Sequence, residues 1–252
     1  MEIKVVSFNL RHANDKDGNS VVERAPRLHK IITRYSPDII GFQELRTSWE
    51  PFLEKYFSAE YDSFCKYRSE GTDHEAAPIY WRKDKFTCIK TGYFWLSDTP
   101  EVESRGWDEK YNCFRMCEYV ILKEKQNGKL FAFMNTHFGF GDNGQTKSAD
   151  LLYKYSREFS DLPIIITGDF NMNPSFLGYT QMTKYFSDVN TATVNDMRDT
   201  YHAYNPEIPT GKHIDYCFIN ENVLPISQKM MDDSVNGKYP SDHFGIFSVV
   251  KI

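Results

Sequence analysis

Six apolar runs in this chain end in, or enclose, polar residues that are costly to bury without a partner or a task. Ile3–Phe8 ends at Asn9, and Ile39–Phe42 runs into Gln43-Glu44. Phe131–Met134 leads into Asn135-Thr136-His137, and Ile164–Thr167 leads through Gly168 to Asp169, with Asn171 close behind. Asp215 stands between Ile214 and Tyr216, and Ser241-Asp242-His243 precedes the last apolar run. Were these ends to converge, they would form a pocket of three or four carboxylates, several amides and two histidines. That composition suits reactions at phosphorus. Hard oxygen ligands without cysteine select Mg²⁺ or Mn²⁺ over zinc. Mg²⁺ keeps several waters, so Asn9 and Glu44 suffice as its side-chain ligands and the other acids are free to position water. A carboxylate or a histidine can then take a proton from attacking water, while the metal polarises the phosphoryl oxygen.

Each residue alone has a plainer reading. A strand-end Asn or Asp is usually a turn residue, and Gly168–Pro174 reads equally well as a strand-to-helix turn capped by its Asp. His243 reads as a satisfied core histidine with Asp215 as its structural partner. His12, His29, His74 and His202 read as ordinary core or surface residues. The set as a whole carries the chemical argument.

These residues need elements to hold them. Ile3–Phe8, Asp38–Phe42, Ala77–Trp81, Phe86–Leu96, Pro163–Thr167, His213–Ile219 and His243–Lys251 read as strands. Glu118–Glu124 and Leu130–Thr136 flank Asn127-Gly128, a hairpin signal. Pro26 fits the first turn of a helix whose apolar face is Leu28, Ile31, Ile32 and Tyr35, stopped by Ser36-Pro37. Thr47-x-x-Glu50 has the form of a capping box, and Leu151, Leu152, Tyr155 and Phe159 mark a further helix. Strands outnumber helices and both occur in each half, which predicts packed sheets with helices outside, an α/β sandwich. No linker divides residues 1–252, so a single domain is expected.

Composition narrows the function classes. With 40% hydrophobic residues, 19 Phe and 16 Tyr, the chain can bury a large core. Its formal net charge of −5 and the lack of a basic stripe argue against an enzyme that tracks long duplex nucleic acid. The five cysteines are odd in number and lack CxxC spacing, which argues against a zinc site and for reduced thiols. No signal-peptide core or membrane-spanning run is visible. The expectation is a monomeric, cytoplasmic protein.

Taken in order, Ser7-Phe8-Asn9-Leu10, Gly41-Phe42-Gln43-Glu44, Asn135-Thr136-His137, Gly168-Asp169-Phe170-Asn171-x-x-Pro174, His213-Ile214-Asp215-Tyr216 and Ser241-Asp242-His243 resemble the endonuclease/exonuclease/phosphatase superfamily, which includes deoxyribonucleases, apurinic endonucleases and deadenylases. The resemblance spans nearly the whole chain. It implies a four-layer α/β sandwich, two face-to-face mixed β-sheets flanked by helices, and a Mg²⁺- or Mn²⁺-dependent phosphoesterase acting on a phosphodiester or phosphomonoester. By resemblance, Asn9 and Glu44 are the metal side, with Asp242 a further metal-side or water-positioning acid. Asp169 aligns or deprotonates the water, Asn171 and His137 contact the phosphate, and His243, oriented by Asp215, contacts the scissile phosphate or moves a proton. Whether Asp169 or the His243–Asp215 pair is the base stays open.

A narrower likeness, in Asn9-Leu10-Arg11, Gly92–Pro100, Gly106-Trp107-Asp108 and Arg115, is to a mostly uncharacterised bacterial branch related to deadenylases. It suggests Arg11 and Arg115 as phosphate contacts and Trp107 as a stacking surface, with Trp95 in the core. That branch often has a second histidine soon after Asn-Thr-His; here the run is Phe138-Gly139-Phe140. Short nucleic acid, a nucleotide or another small phosphate ester is the implied partner, chosen by the loops Arg11–Ser20, Lys66–Ala76, Ser97–Tyr111 and Gly139–Lys147. The alternative, a non-catalytic binding module on the same fold, predicts decay of at least one motif, and none is decayed.

Overall fold

Alternation with a period of two decides which layer each strand residue joins. The computed structural model describes residues 1–71 and 75–252, so His74 lies outside the described residues. In chain order the elements are β1 (Glu2–Asn9), α1 (Val21–Tyr35), β2 (Ile39–Gln43), α2 (Glu50–Phe57), β3 (Tyr61–Phe64), β4 (Ile79–Arg82), β5 (Phe86–Trp95), β6 (Met116–Glu124), β7 (Leu130–His137), α3 (Asp142–Ser156), β8 (Ile164–Asp169), α4 (Leu177–Tyr185), β9 (Ser187–Asp188), α5 (Val189–Ala192), β10 (Asp215–Ile219), β11 (Leu224–Met231) and β12 (Gly245–Lys251). The strands make two six-stranded mixed sheets, ordered β11-β12-β1-β2-β4-β3 and β5-β6-β7-β8-β10-β9. Each has one parallel pair at its centre, β1 with β2 and β7 with β8.

One phase of the alternation fills the space between the sheets with Ile3, Val5, Ile39, Phe131, Phe133, Ile165, Cys217 and Ile219. The opposite phase of the first sheet, Val6, Phe8, Ile40 and Phe42, packs with Leu28 and Ile32 of α1 and Leu53 of α2. That of the second sheet, Met134, Ile164, Ile166 and Phe218, packs with Leu152 of α3 and Met182 of α4. Three apolar seams therefore separate four layers, the α/β sandwich expected from the sequence. β8 is buried throughout, as its unbroken apolar run requires of a strand covered on both faces.

Followed toward one end of the sandwich, the inward phase turns polar. Ser7 and then Asn9 continue β1, Gln43 ends β2, Asn135 and then His137 continue β7, and Thr167 and then Asp169 continue β8. The lower of these tiers locks the sheets together. The Asn135 amide donates to the carbonyls of Phe42 (2.6 Å) and Ala77 (2.9 Å), and its oxygen accepts from Gln43 Nε2 (2.8 Å) and Thr167 Oγ1 (3.0 Å). Gly41 is required beside it, since a Cβ there would collide with Thr167 Oγ1 and the Asn135 amide.

Two local expectations are corrected. Helix α1 begins at Val21, where the Glu23 carboxylate accepts from Ser20 N (3.2 Å) and Oγ (2.5 Å). Pro26 thus falls in the second turn, and the carbonyl it deprives of a donor belongs to exposed Val22, where water can serve it. Thr47 caps nothing: α2 starts after Trp49, itself in helical conformation, with Pro51 in the first turn. Strand β11 gives no alternation to read, because it is an edge strand with an irregular register between Pro225 and Ser227.

Replacing Asn135 with Ala leaves two buried carbonyls, Gln43 and Thr167 without their partner. Denaturant unfolding is expected to show a loss of about 3 kcal/mol or more. A loss below about 1 kcal/mol would show that the tier is not structural.

Candidate active site

The upper polar tier is a row of side chains on neighbouring strands. Register places His137 opposite Asp169, and Asp169 opposite Asp215. His243, just ahead of β12, donates Nδ1–H to Asp215 Oδ2 (2.9 Å), and its Nε2 lies 3.8 Å from Asp169 Oδ2. Asp169, Asp215 and His243 are all buried and offer ligand atoms within 4.8 Å of one another. From the facing sheet, Asn9 Nδ2 donates to Asp169 Oδ2 (2.9 Å) and Glu44 Oε1 (3.2 Å). Glu44 Oε2 also accepts from His12 N (2.9 Å) and faces His12 Nδ1 at 2.6 Å.

The chain leaves β1, β2 and β8 through left-handed residues. Arg11, Glu44 and Asn171 have φ of 56°, 58° and 51°. For residues with a Cβ this conformation costs about 1–2 kcal/mol each. Two of the three are stabilised by the residue before last: Arg11 N–H donates to Asn9 Oδ1 and Asn171 N–H to Asp169 Oδ1, both at 2.9 Å. The turns that reverse the chain thereby also fix the orientation of the strand-end side chains.

Burial and charge set unequal protonation states. Burial, reinforced by Asp215, pushes Asp169 up to about 7, against the pull of His243. Burial likewise raises Asp242. Burial opposes the charge on His243, but Asp215 and then Asp169 outweigh it and raise the imidazole to about 10. Burial and the nearby Arg115 hold His137 well below the usual range, so it is neutral. The Asn171 amide donates to Phe138 O (2.9 Å) and to His137 Nε2 (3.0 Å), which puts the His137 proton on Nδ1. Burial disfavours the Glu44 carboxylate, yet the bond from His12 keeps it well below its ordinary value. A cationic and a neutral imidazole thus flank one carboxylate.

Arg11, Glu44, Arg115, His137, Asp169, Asn171, Asp242 and His243 line a cleft of about 560 Å³ at this end of the sandwich. Asn9 and Asp215 stand behind its wall, at 0% and 1% exposure. Asp242 Oδ2 lies 3.6 Å from Arg11 Nε. Arg115 pairs with Asp108 (3.1 Å), and its Nη1 has no hydrogen-bond partner among the described residues. Trp107 does not line the cleft. It is half-buried against the core of the second sheet, with Lys147 Nζ 5.4 Å above its ring.

The four loops singled out in the sequence reach this cleft, contributing Arg11 and His12, Arg68 and Glu75, Arg105, Lys110 and Tyr111, and Phe140. His12, read as ordinary, instead touches Glu44; its place directly after Asn9-Leu10-Arg11 was the available signal. Arg46, Tyr201 and Lys212 carried no motif. Arg46 pairs with Glu75 at 2.9 Å, Tyr201 stacks edge-on at 5.0 Å from the His243 ring, and Lys212 Nζ lies 4.4 Å over Tyr201. Seven Lys and Arg side chains line the cleft although the chain is net acidic. No stripe shows in the sequence because they arrive from separate loops. The five cysteines are unpaired thiols, and among the described residues no helix is long and apolar enough to cross a membrane.

The His243–Asp215 pair has a definite pH signature. A histidine raised from 6.5 to about 10 stabilises the fold fully below pH 6.5, and that contribution is lost as pH rises through about 10. In Asp215→Asn the main raising charge is gone, so the His243 pKa, read by NMR in chelator-treated protein, is expected to fall by more than about 1 unit. An unchanged value would remove Asp215 as the cause.

Residues 6–243 match the Endonuclease/Exonuclease/phosphatase family. An uncharacterised protein, L388, of Acanthamoeba polyphaga mimivirus is 30% identical over 190 residues, 69% of each chain. Among solved structures, a mannosyl-6-phosphatase of Bacteroides thetaiotaomicron is 29% identical with a TM-score of 0.89, covering 99% of this chain and 100% of that one. D. rerio TDP2 complexed with single strand DNA product shares the fold, with a TM-score of 0.77 at 17% identity, over 100% of this chain and 99% of that one. With its motifs gathered at one end of a four-layer sandwich and the match running over nearly its whole length, the chain belongs to the endonuclease/exonuclease/phosphatase family.

Proposed function

We propose that this protein is a divalent-metal-dependent phosphoesterase in which Asp169 accepts the proton of the attacking water. The observation that carries the reading is the setting of Asp169 Oδ2, which lies 2.9 Å from Asn9 Nδ2, 3.5 Å from His137 Nε2 and 3.8 Å from His243 Nε2. A carboxyl raised to about 7 is matched to proton transfer near neutral pH. His243, raised to about 10, already holds its proton there and is suited to donate Nε2–H to a phosphoryl or leaving oxygen. This favours Asp169 over the His243–Asp215 pair as the base. Asn171 steadies Asp169 through its N–H and orients the His137 ring through Nε2, and Arg11 and Arg115 add positive charge for the phosphate.

The residues present fit Mg²⁺ or Mn²⁺. Burial raises both Asp169 and Asp242, and neighbouring carboxylates add to it, Asp215 for the first and Glu44 for the second, a crowding of negative charge that a divalent cation relieves. Glu44 and Asp242 offer carboxylate oxygens, the preference of hard cations, and Asn9 Oδ1, which accepts from Arg11 N–H, keeps a second lone pair. Cys113, which also lines the cleft, spends its thiol on Asp108 Oδ2 (3.3 Å), and burial raises it to about 11. Asn9, Glu44 and Asp242 are the residues that would hold the metal, which when bound polarises the phosphoryl oxygen and stabilises the leaving oxygen.

The cleft volume of about 560 Å³ suits a small ester such as a sugar phosphate or a nucleotide. The mannosyl-6-phosphatase likeness favours a sugar phosphate, whereas the TDP2 likeness, at 17% identity, bears on the fold alone. The deciding assay is turnover with Mn²⁺ or Mg²⁺ across sugar phosphates, nucleotides, short single-stranded DNA and RNA, and phosphoinositides. At least one ester should be cleaved, and EDTA should abolish cleavage. No turnover of any of them would favour a non-catalytic binding module. Asp169→Ala and His243→Ala are each expected to lower kcat by about 10²–10⁴-fold; wild-type turnover in either would take that residue out of the mechanism. Glu44→Gln should move the metal titration to higher concentration, and an unmoved curve would contradict its role as a ligand.

A further inference from the structure

Arg24, on the inner face of α1, is fully buried and makes no ion pair with a carboxylate among the described residues. Its guanidinium lies over the Trp49 ring, 5.0 Å from the centroid. A guanidinium has five N–H donors, and here the bonds go to five backbone carbonyls. Nε donates to Asn19 O (2.8 Å), Nη1 to Leu10 O and to Pro240 O (3.2 Å), and Nη2 to Arg11 O (2.6 Å) and Ala13 O (2.7 Å). Burying a cation this way is costly unless every donor is used. A core position on an amphipathic helix would be filled more cheaply by Leu or Met.

The carbonyls belong to two separate segments. Leu10–Asn19 is the chain leaving β1 just past Asn9, and Pro240 immediately precedes Ser241-Asp242-His243. Arg11 is held at both ends. Its N–H donates to Asn9 Oδ1 (2.9 Å), while its carbonyl accepts from Arg24 and from Trp49 Nε1 (3.1 Å). That grip stabilises Arg11 in its left-handed conformation, φ 56°. The Arg11 side chain pairs with Asp15 (2.9 Å), and Asp242 Oδ2 lies 3.6 Å from the same Nε.

We infer that Arg24 is a positioning residue: by tying the Asn9–Arg11 turn to the Pro240–His243 segment, it presents Asn9, Glu44 and Asp242 to a divalent cation as a preformed set. The inference rests on the metal reading of the same site. It predicts that loss of the fork weakens cation binding out of proportion to any loss of stability.

The test titrates chelator-treated protein with Mn²⁺ alone by calorimetry, with circular dichroism and the thermal midpoint measured alongside. Arg24→Lys keeps the charge but replaces the planar fork with three donors on one atom. It is expected to weaken Mn²⁺ binding at least tenfold in folded protein. Trp49→Phe keeps a ring under the guanidinium and removes one donor to Arg11 O, so a few-fold weakening is expected; it serves as the readout should Arg24→Lys not fold. Leu28→Ala, on the same helix but in the apolar seam, should lower the thermal midpoint and leave Mn²⁺ affinity unchanged. Wild-type affinity in folded Arg24→Lys, or in Trp49→Phe if the first does not fold, would overturn the inference. So would an equal loss of affinity in Leu28→Ala. A wild type that binds no Mn²⁺ overturns it together with the metal reading. A wild type that binds Mn²⁺ but cleaves no ester sinks the functional reading alone, and the affinity comparison still decides the role of Arg24.

Discussion

The Asn135 amide is the constraint on which the site depends. It joins the two sheets by bonds to Phe42 O, Ala77 O and Gln43, and ties in Thr167 of its own sheet, in a layer with little exposure to water. Below it the sheets meet through apolar side chains, whose attraction has no fixed direction. At Asn135 they meet through directional bonds. The candidate site residues lie one alternation further along the same strands. Asn9 follows Ser7, His137 follows Asn135, and Asp169 follows Thr167, so a registry fixed at the lock is passed to the groups that must act together.

The electrostatics above the lock follow from crowding acids into a dry corner. Burial raises Asp169 and Asp242, while paired His243 becomes cationic and His137, beside Arg115, stays neutral. Neither the raised carboxyls nor the cationic imidazole would hold that state alone in water. The arrangement is also strained, with Arg11, Glu44 and Asn171 in left-handed conformations at the ends of three strands. Three strained strand ends and unbalanced charge meet at one end of a well-packed sandwich, and the apolar seams on three levels supply the stability that tolerates them.

Much of this was legible in the sequence because strand alternation and motif order are local. The buried run Ile164–Thr167, the acids and amides at strand ends and the hairpin at Asn127-Gly128 are readable from neighbours alone. Asn135 was read among the pocket amides, yet it lies one tier beneath, since its distance along β7 from His137 shows only once the sheets are paired. His12, Arg46, Tyr201 and Lys212 escaped because their approach to the cleft is set by loops whose paths no periodicity encodes. The cationic lining escaped for the same reason: net charge averages over a surface, whereas the cleft collects side chains from distant positions. Pro26 and Thr47 misled because several nearby residues competed to start each helix, and Ser20-Glu23 and Trp49-Pro51 prevailed.

The central claim is that the upper polar tier is one metal- and phosphate-handling site. Anomalous diffraction from crystals of the wild-type protein grown with Mn²⁺ and inorganic phosphate tests it most directly. A manganese peak is expected at Glu44 and Asn9, with phosphate in the same cleft beside His243 and Asn171. Manganese and phosphate bound elsewhere on the molecule, with this tier containing water alone, would contradict it.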